Sequence, residues 1–126
     1  MDKKPSILVV DDMPQMLAMY SAMLTARGFS VLTASNGKAA IALAAKEKPD
    51  LVLLDVMMPK MDGGAVAAAL LEDKHTRDIP IIFLTSIVSE KEVISRDCNI
   101  GGREFLSKSS PPNDIVAKIR QVLALP

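Results

Sequence analysis

Tryptophan is absent from this 126-residue chain, and cysteine and histidine occur once each, at Cys98 and His75. A lone cysteine closes no internal disulfide, which fits a reducing compartment. A lone histidine in the polar stretch after Glu72, with no nucleophile elbow anywhere, argues against a Ser-His-Asp hydrolase. Aromatic residues make up only 3% of the chain, too few for base-stacking platforms. Neither sign of charge dominates: 15 basic and 15 acidic residues cancel, leaving no electrostatic footprint for nucleic acid or an anionic membrane. No apolar run approaches the roughly 20 residues that span a bilayer. Behind Lys3 and Lys4 the run Ile7 to Val10 is too short for a signal peptide core. No GxxxxGKS or GxGxxG run is present, so nucleotide binding has no support. The expected protein is cytoplasmic and binds neither nucleic acid nor membrane.

What is present is an ordinary globular composition, 49% hydrophobic and 24% charged. A chain of this length folds as one domain, residues 1–126, and buries roughly two-thirds of its unfolded surface. Apolar runs too short for helices alternate with helical patterns. Ser6 to Val10 reads as a buried strand, and Pro14 opens a helix to about Arg27, closed by Gly28. Leu17, Tyr20 and Leu24 form the core stripe of that helix. Phe29 to Thr33 alternates as a half-exposed edge strand would. Ser35-Asn36-Gly37 caps an alanine-rich helix over Lys38 to Lys46. Leu51 to Leu54 is a strand buried on both faces. Met58-Pro59 and Gly63-Gly64 break the chain before a helix over Ala65 to Leu71. Ile79 to Leu84 is the next strand, and Ser89 with Glu92 forms a capping box for a helix to about Cys98. Arg103 to Ser107 is a short last strand, and Pro111-Pro112 opens a final helix that keeps Ile115, Ile119, Val122 and Leu123 in register. Five such alternations with short connections predict an α/β domain, a parallel sheet covered by helices on both faces.

Chemistry-bearing residues follow the central strands: Asp11-Asp12, Asp55, Thr85-Ser86 and Lys108. Parallel strands all point one way, so these groups converge on one sheet edge, where open α/β sheets bind their ligands. Carboxylates drawn together repel, and hard oxygen ligands without a neighbouring His or Cys favour magnesium. Asp55 is then placed to attack phosphorus as a carboxylate nucleophile and form an acyl phosphate. Lys108 supplies a point charge and Thr85 a hydroxyl donor. Each residue taken alone has a plainer reading: Asp12 with Gln15 as a helix cap, Thr85-Ser86 as a turn, Lys108 as a solvated side chain.

The matching pieces Val9-Val10-Asp11-Asp12, Leu54-Asp55-Val56-Met57-Met58-Pro59, Met61-Asp62-Gly63, Leu84-Thr85-Ser86 and Phe105-Leu106-Ser107-Lys108 occur in order. In them the chain resembles, over about residues 6 to 124, the receiver domain of two-component response regulators. The resemblance implies a flavodoxin-like (βα)5 sandwich with a five-stranded parallel sheet of order 2-1-3-4-5. It implies phosphotransfer to Asp55 from a sensor histidine kinase or a histidine phosphotransfer protein. Magnesium would be held by Asp11, Asp12, Asp55 and the backbone carbonyl of Met57. Thr85 and Phe105 would form a switch pair that reshapes the face of the fourth helix, fifth strand and fifth helix for a downstream output protein or domain. Such a module is not an enzyme beyond its own magnesium-dependent phosphorylation and dephosphorylation.

The chain departs from the family pattern at four positions. Ser109 follows Lys108 where receivers usually carry proline, so a trans Lys108–Ser109 bond is expected, the cis form costing about 3 kcal/mol. Phe105 replaces the common tyrosine. Met57 and Ile87 stand where the family positions the hydrolytic water, and neither side chain can hydrogen-bond it, which predicts slow dephosphorylation. A phosphorylation-independent pseudo-receiver is the alternative function, and an aspartyl phosphatase is disfavoured because Met13, not a second Asp, stands two after Asp11. Stand-alone and output-linked regulators, monomers and dimers, all fit this sequence.

Overall fold

The computed structural model describes residues 4–55, 63–85, 104–107 and 110–124, with the backbone alone at Gly63, Thr85, Glu104 and Phe105. The loop after Asp55 that contains Met57, the expected helix over Ser89 to Cys98, and the Lys108–Ser109 bond lie outside the described residues.

Five strands, β1 (Ser6–Val10), β2 (Ser30–Ala34), β3 (Leu51–Asp55), β4 (Ile81–Thr85) and β5 (Glu104–Ser107), form one sheet. Its order is β2-β1-β3-β4-β5, and every pairing is parallel. Parallel neighbours need long crossovers. The described ones are helices α1 (Pro14–Ala26), α2 (Gly37–Glu47) and α3 (Gly63–Glu72), and a C-terminal helix spans Pro112–Val122. No helix among the described residues is long and apolar enough to cross a membrane.

The central strands are apolar at consecutive positions because both faces are covered. Side chains alternate across the pleat, so each strand feeds two cores. Leu8, Val10, Val52, Leu54, Ile81 and Phe83 face Ala40 and Ala44 of α2 and Val66, Ala67 and Leu70 of α3. Ile7, Val9, Leu51, Leu53, Ile82 and Leu84 face Tyr20 and Leu24 of α1 and Ile115, Val116 and Ile119 of the C-terminal helix. Strand β3 is buried at all five positions, Asp55 included.

Several boundaries differ from the sequence expectation for physical reasons. Helix α3 starts at Gly63, so Gly63-Gly64 lie in its first turn and do not break the chain before it. The first helical N–H groups have no intrahelical partner, and glycine costs less there than in a helix interior. Strand β2 runs from Ser30 to Ala34 without clean alternation, and Phe29 enters the core just ahead of it. Strand β4 starts at Ile81; Ile79 instead closes a turn, its N–H donating to the Thr76 carbonyl at 3.0 Å. Leu17 is only partly buried, whereas Tyr20 and Leu24 are fully so. Asn36 caps α2 as expected, its Oδ1 accepting from the Ala39 N–H at 2.8 Å.

Candidate functional site

Sheet register brings the acids level. Val10 of β1 pairs with Leu54 of β3, so the residue after each, Asp11 and Asp55, reach the same height at the carboxyl edge. The Asp11 N–H donates to the Ala34 carbonyl at 3.2 Å, carrying the β1–β2 ladder one residue past the strand. Asp11 and Asp55 thereby share the parity of Val9 and Leu53, which face α1. One carboxylate oxygen from each of Asp11, Asp12 and Asp55 lies within 4.8 Å of the others. Asp11 and Asp55 are buried, and Asp12 is half-buried.

Two unit negative charges about 4 Å apart near a protein surface repel by roughly 4 kcal/mol. The amino end of α1, with its partial positive charge, begins at Pro14 and offsets part of this. A divalent cation would offset far more. The donor set is entirely oxygen, and oxygens around an octahedral magnesium at about 2.1 Å stand about 3 to 4 Å apart. The three acids fit that ion.

The plain reading of Asp12 as a helix cap does not hold. The N-cap of α1 is Met13, extended at φ −97° and ψ 116°, with no side-chain cap. Asp11, not Asp12, serves the start of the helix: its Oδ1 accepts from the Met13 N–H at 3.0 Å. The i to i+2 spacing of an Asp before a Pro-initiated helix could have signalled that turn.

Thr85 ends β4 one residue beyond Leu84, the register partner of Asp55, and pairs with Ser107 of β5. Phe105 lies in β5 opposite Phe83. Lys108 and Met57 lie outside the described residues, so the acids are the part of the candidate set brought together here. His75 is exposed, its backbone N–H donating to Asp73 Oδ1 at 2.8 Å.

The family model of the response regulator receiver domain matches residues 7–120. Protein PilH of Pseudomonas aeruginosa is 37% identical over 118 residues, which cover 94% of this chain and 97% of that protein. The probable transcriptional regulator ycf27 of Porphyra purpurea is 40% identical over 122 residues, 97% of this chain but 49% of that protein. The chain thus spans about half the length of the ycf27 relatives that it matches. Among solved structures, the chemotaxis protein CheY4 of Vibrio cholerae superposes with a TM-score of 0.87 at 28% identity. That match covers 95% of this chain and 99% of CheY4.

Proposed function

The chain belongs to the response regulator receiver domain family, and on that premise we propose that it is a receiver that accepts a phosphoryl group on Asp55. The observation that carries this reading is the convergence of the buried Asp55 with Asp11 and Asp12 at the carboxyl edge, where ligands of such sheets bind. The donor is a phosphohistidine of a sensor kinase or phosphotransfer protein. A carboxylate oxygen of Asp55 forms the O–P bond as the donor's N–P bond breaks. The leaving imidazole keeps the electron pair and takes up a proton. Asp11, Asp12 and Asp55, with the Met57 carbonyl expected from sequence position, would hold magnesium, which would supply positive charge to screen phosphoryl oxygens from the acids.

The remaining roles rest on sequence position. Lys108 pairs with a phosphoryl oxygen as a point charge. Thr85 donates its hydroxyl to the phosphoryl group, and Phe105, lacking a hydroxyl of its own, follows by ring motion alone. The readout is a protein surface built from the helix expected over Ser89 to Cys98, from β5 and from the C-terminal helix. It serves a cytoplasmic output partner, or an output domain joined to this one.

Intact mass after incubation with acetyl phosphate, with and without magnesium, tests the reading on the wild type and Asp55→Asn. The expected result is a magnesium-dependent adduct on the wild type alone, lost only slowly after the donor is removed. A folded wild-type protein that takes up no phosphoryl group would make the chain a phosphorylation-independent binding module instead.

A further inference from the structure

Among the described residues, side-chain oxygens of Asp11, Asn36 and Asp73 each hold a backbone N–H two or three residues further on. Asn36 Oδ1 holds Ala39 at 2.8 Å, and Asp73 Oδ1 holds His75 at 2.8 Å, both at exposed positions. Asp11 Oδ1 holds Met13 at 3.0 Å, but Asp11 is buried and also belongs to the acid cluster. Methionine is a poor N-cap. Yet the Met13 carbonyl accepts two of the first bonds of α1, from Met16 at 3.0 Å and Leu17 at 3.2 Å. The start of the helix is therefore held by an acid at the end of the neighbouring strand, which is itself tied to Ala34 through its own N–H.

We propose that Asp11 is a positioning residue that couples cation occupancy of the acid cluster to the first turn of α1. The coupling rests on the reading of the three acids as a cation site. Opening the Asp11–Met13 turn releases the Asp11 carboxylate from its place beside Asp12 and Asp55, so the open form has lost one of three ligands. A cation that binds the closed form alone stabilises it by the factor 1 + [L]/Kd. The turns at Asn36 and Asp73 lie outside the cluster and carry no such linkage. Filling the site thus closes the first turn of α1 without any phosphoryl group, and the amino end of that helix reports whether the site is ready.

Site-resolved amide hydrogen exchange on the whole chain, titrated with magnesium chloride against sodium chloride at matched ionic strength, tests this. Magnesium binding is measured separately by calorimetry. At a magnesium concentration about ten times its Kd, exchange at Met13 slows about tenfold while Ala39 and His75 stay within about twofold. Asp11→Asn keeps an acceptor oxygen, so Met13 stays protected without magnesium but its response falls below about twofold at that same concentration. Magnesium binding with no change at Met13 overturns the coupling and leaves the cation site standing. Equal slowing of all three amides overturns it too, since the effect is then global stabilisation. Absence of binding overturns the coupling and the cation site together. Should Asp11→Asn fail to fold, the wild-type titration decides alone.

Discussion

At the amino edge of the sheet, Asp50 accepts the Ser6 N–H on its Oδ2 at 2.7 Å, exposed to water, and its own N–H donates to the Ser6 carbonyl at 2.8 Å. Five residues later, at the carboxyl edge, Asp55 is buried beside two further carboxylates. The two aspartates bracket one strand and have the same chemistry. Their surroundings differ because the amino edge is where helices return to strands, and polar groups there close the connections. Thr76 is buried and donates its hydroxyl to the Leu70 carbonyl at 2.6 Å, tying down the end of α3. Lys48 ends α2 in the left-handed region at φ 48°, its N–H donating to the Ala44 carbonyl at 2.9 Å. At the carboxyl edge, carboxylates are instead held against one another, an arrangement that costs stability and suits a cation. The comparison teaches that polar groups at one edge close the connections of the fold, while at the other three carboxylates are gathered together.

Breaking the carboxyl edge gives the largest effect. Asp55→Asn is expected to remove the proposed phosphoryl adduct entirely and, by relieving repulsion, to raise unfolding stability in magnesium-free buffer by about 1 to 2 kcal/mol. Mass spectrometry and chemical denaturation check the two halves of that statement. Magnesium at about ten times its Kd should stabilise the wild type by about 1.4 kcal/mol, and chelator should reverse the gain. The denaturation midpoint with and without chelator reads this out.

Breaking the amino edge should leave the adduct intact. Thr76→Val strands the Leu70 carbonyl and costs about 1 to 2 kcal/mol, seen as a Tm lower by several degrees at unchanged phosphorylation. Asp50→Ala removes an exposed acceptor and costs about 1 kcal/mol, again with full adduct by intact mass. Lys48→Gly relieves the left-handed backbone and sharpens the comparison from the other side, gaining about 0.5 kcal/mol in denaturation. Loss of phosphorylation in Asp50→Ala would break the division between the edges.

Ser6 to Val10, Leu51 to Asp55 and the Pro-initiated helices were legible because each pattern is local. Apolar runs of strand length, turn residues and a proline at a helix start act on their own neighbours. The Thr76 hydroxyl was not legible: a threonine in a polar stretch reads as loop, and its burial depends on α3 passing over it. Gly63-Gly64 misled for a related reason, since glycine marks a break and a tolerant first turn equally well.

The sequence by itself determined the order of strands and helices, the parallel sheet, and which residue types would gather at one edge. Those follow from short-range periodicity and from the rule that parallel strands end together. Only the tertiary structure decided that oxygens of Asp11 and Asp12 come within 4.8 Å of one of Asp55. These are distances between segments far apart in the chain, set by the pairing of Val10 with Leu54. No local pattern encodes that register; the packing of two cores against one sheet does.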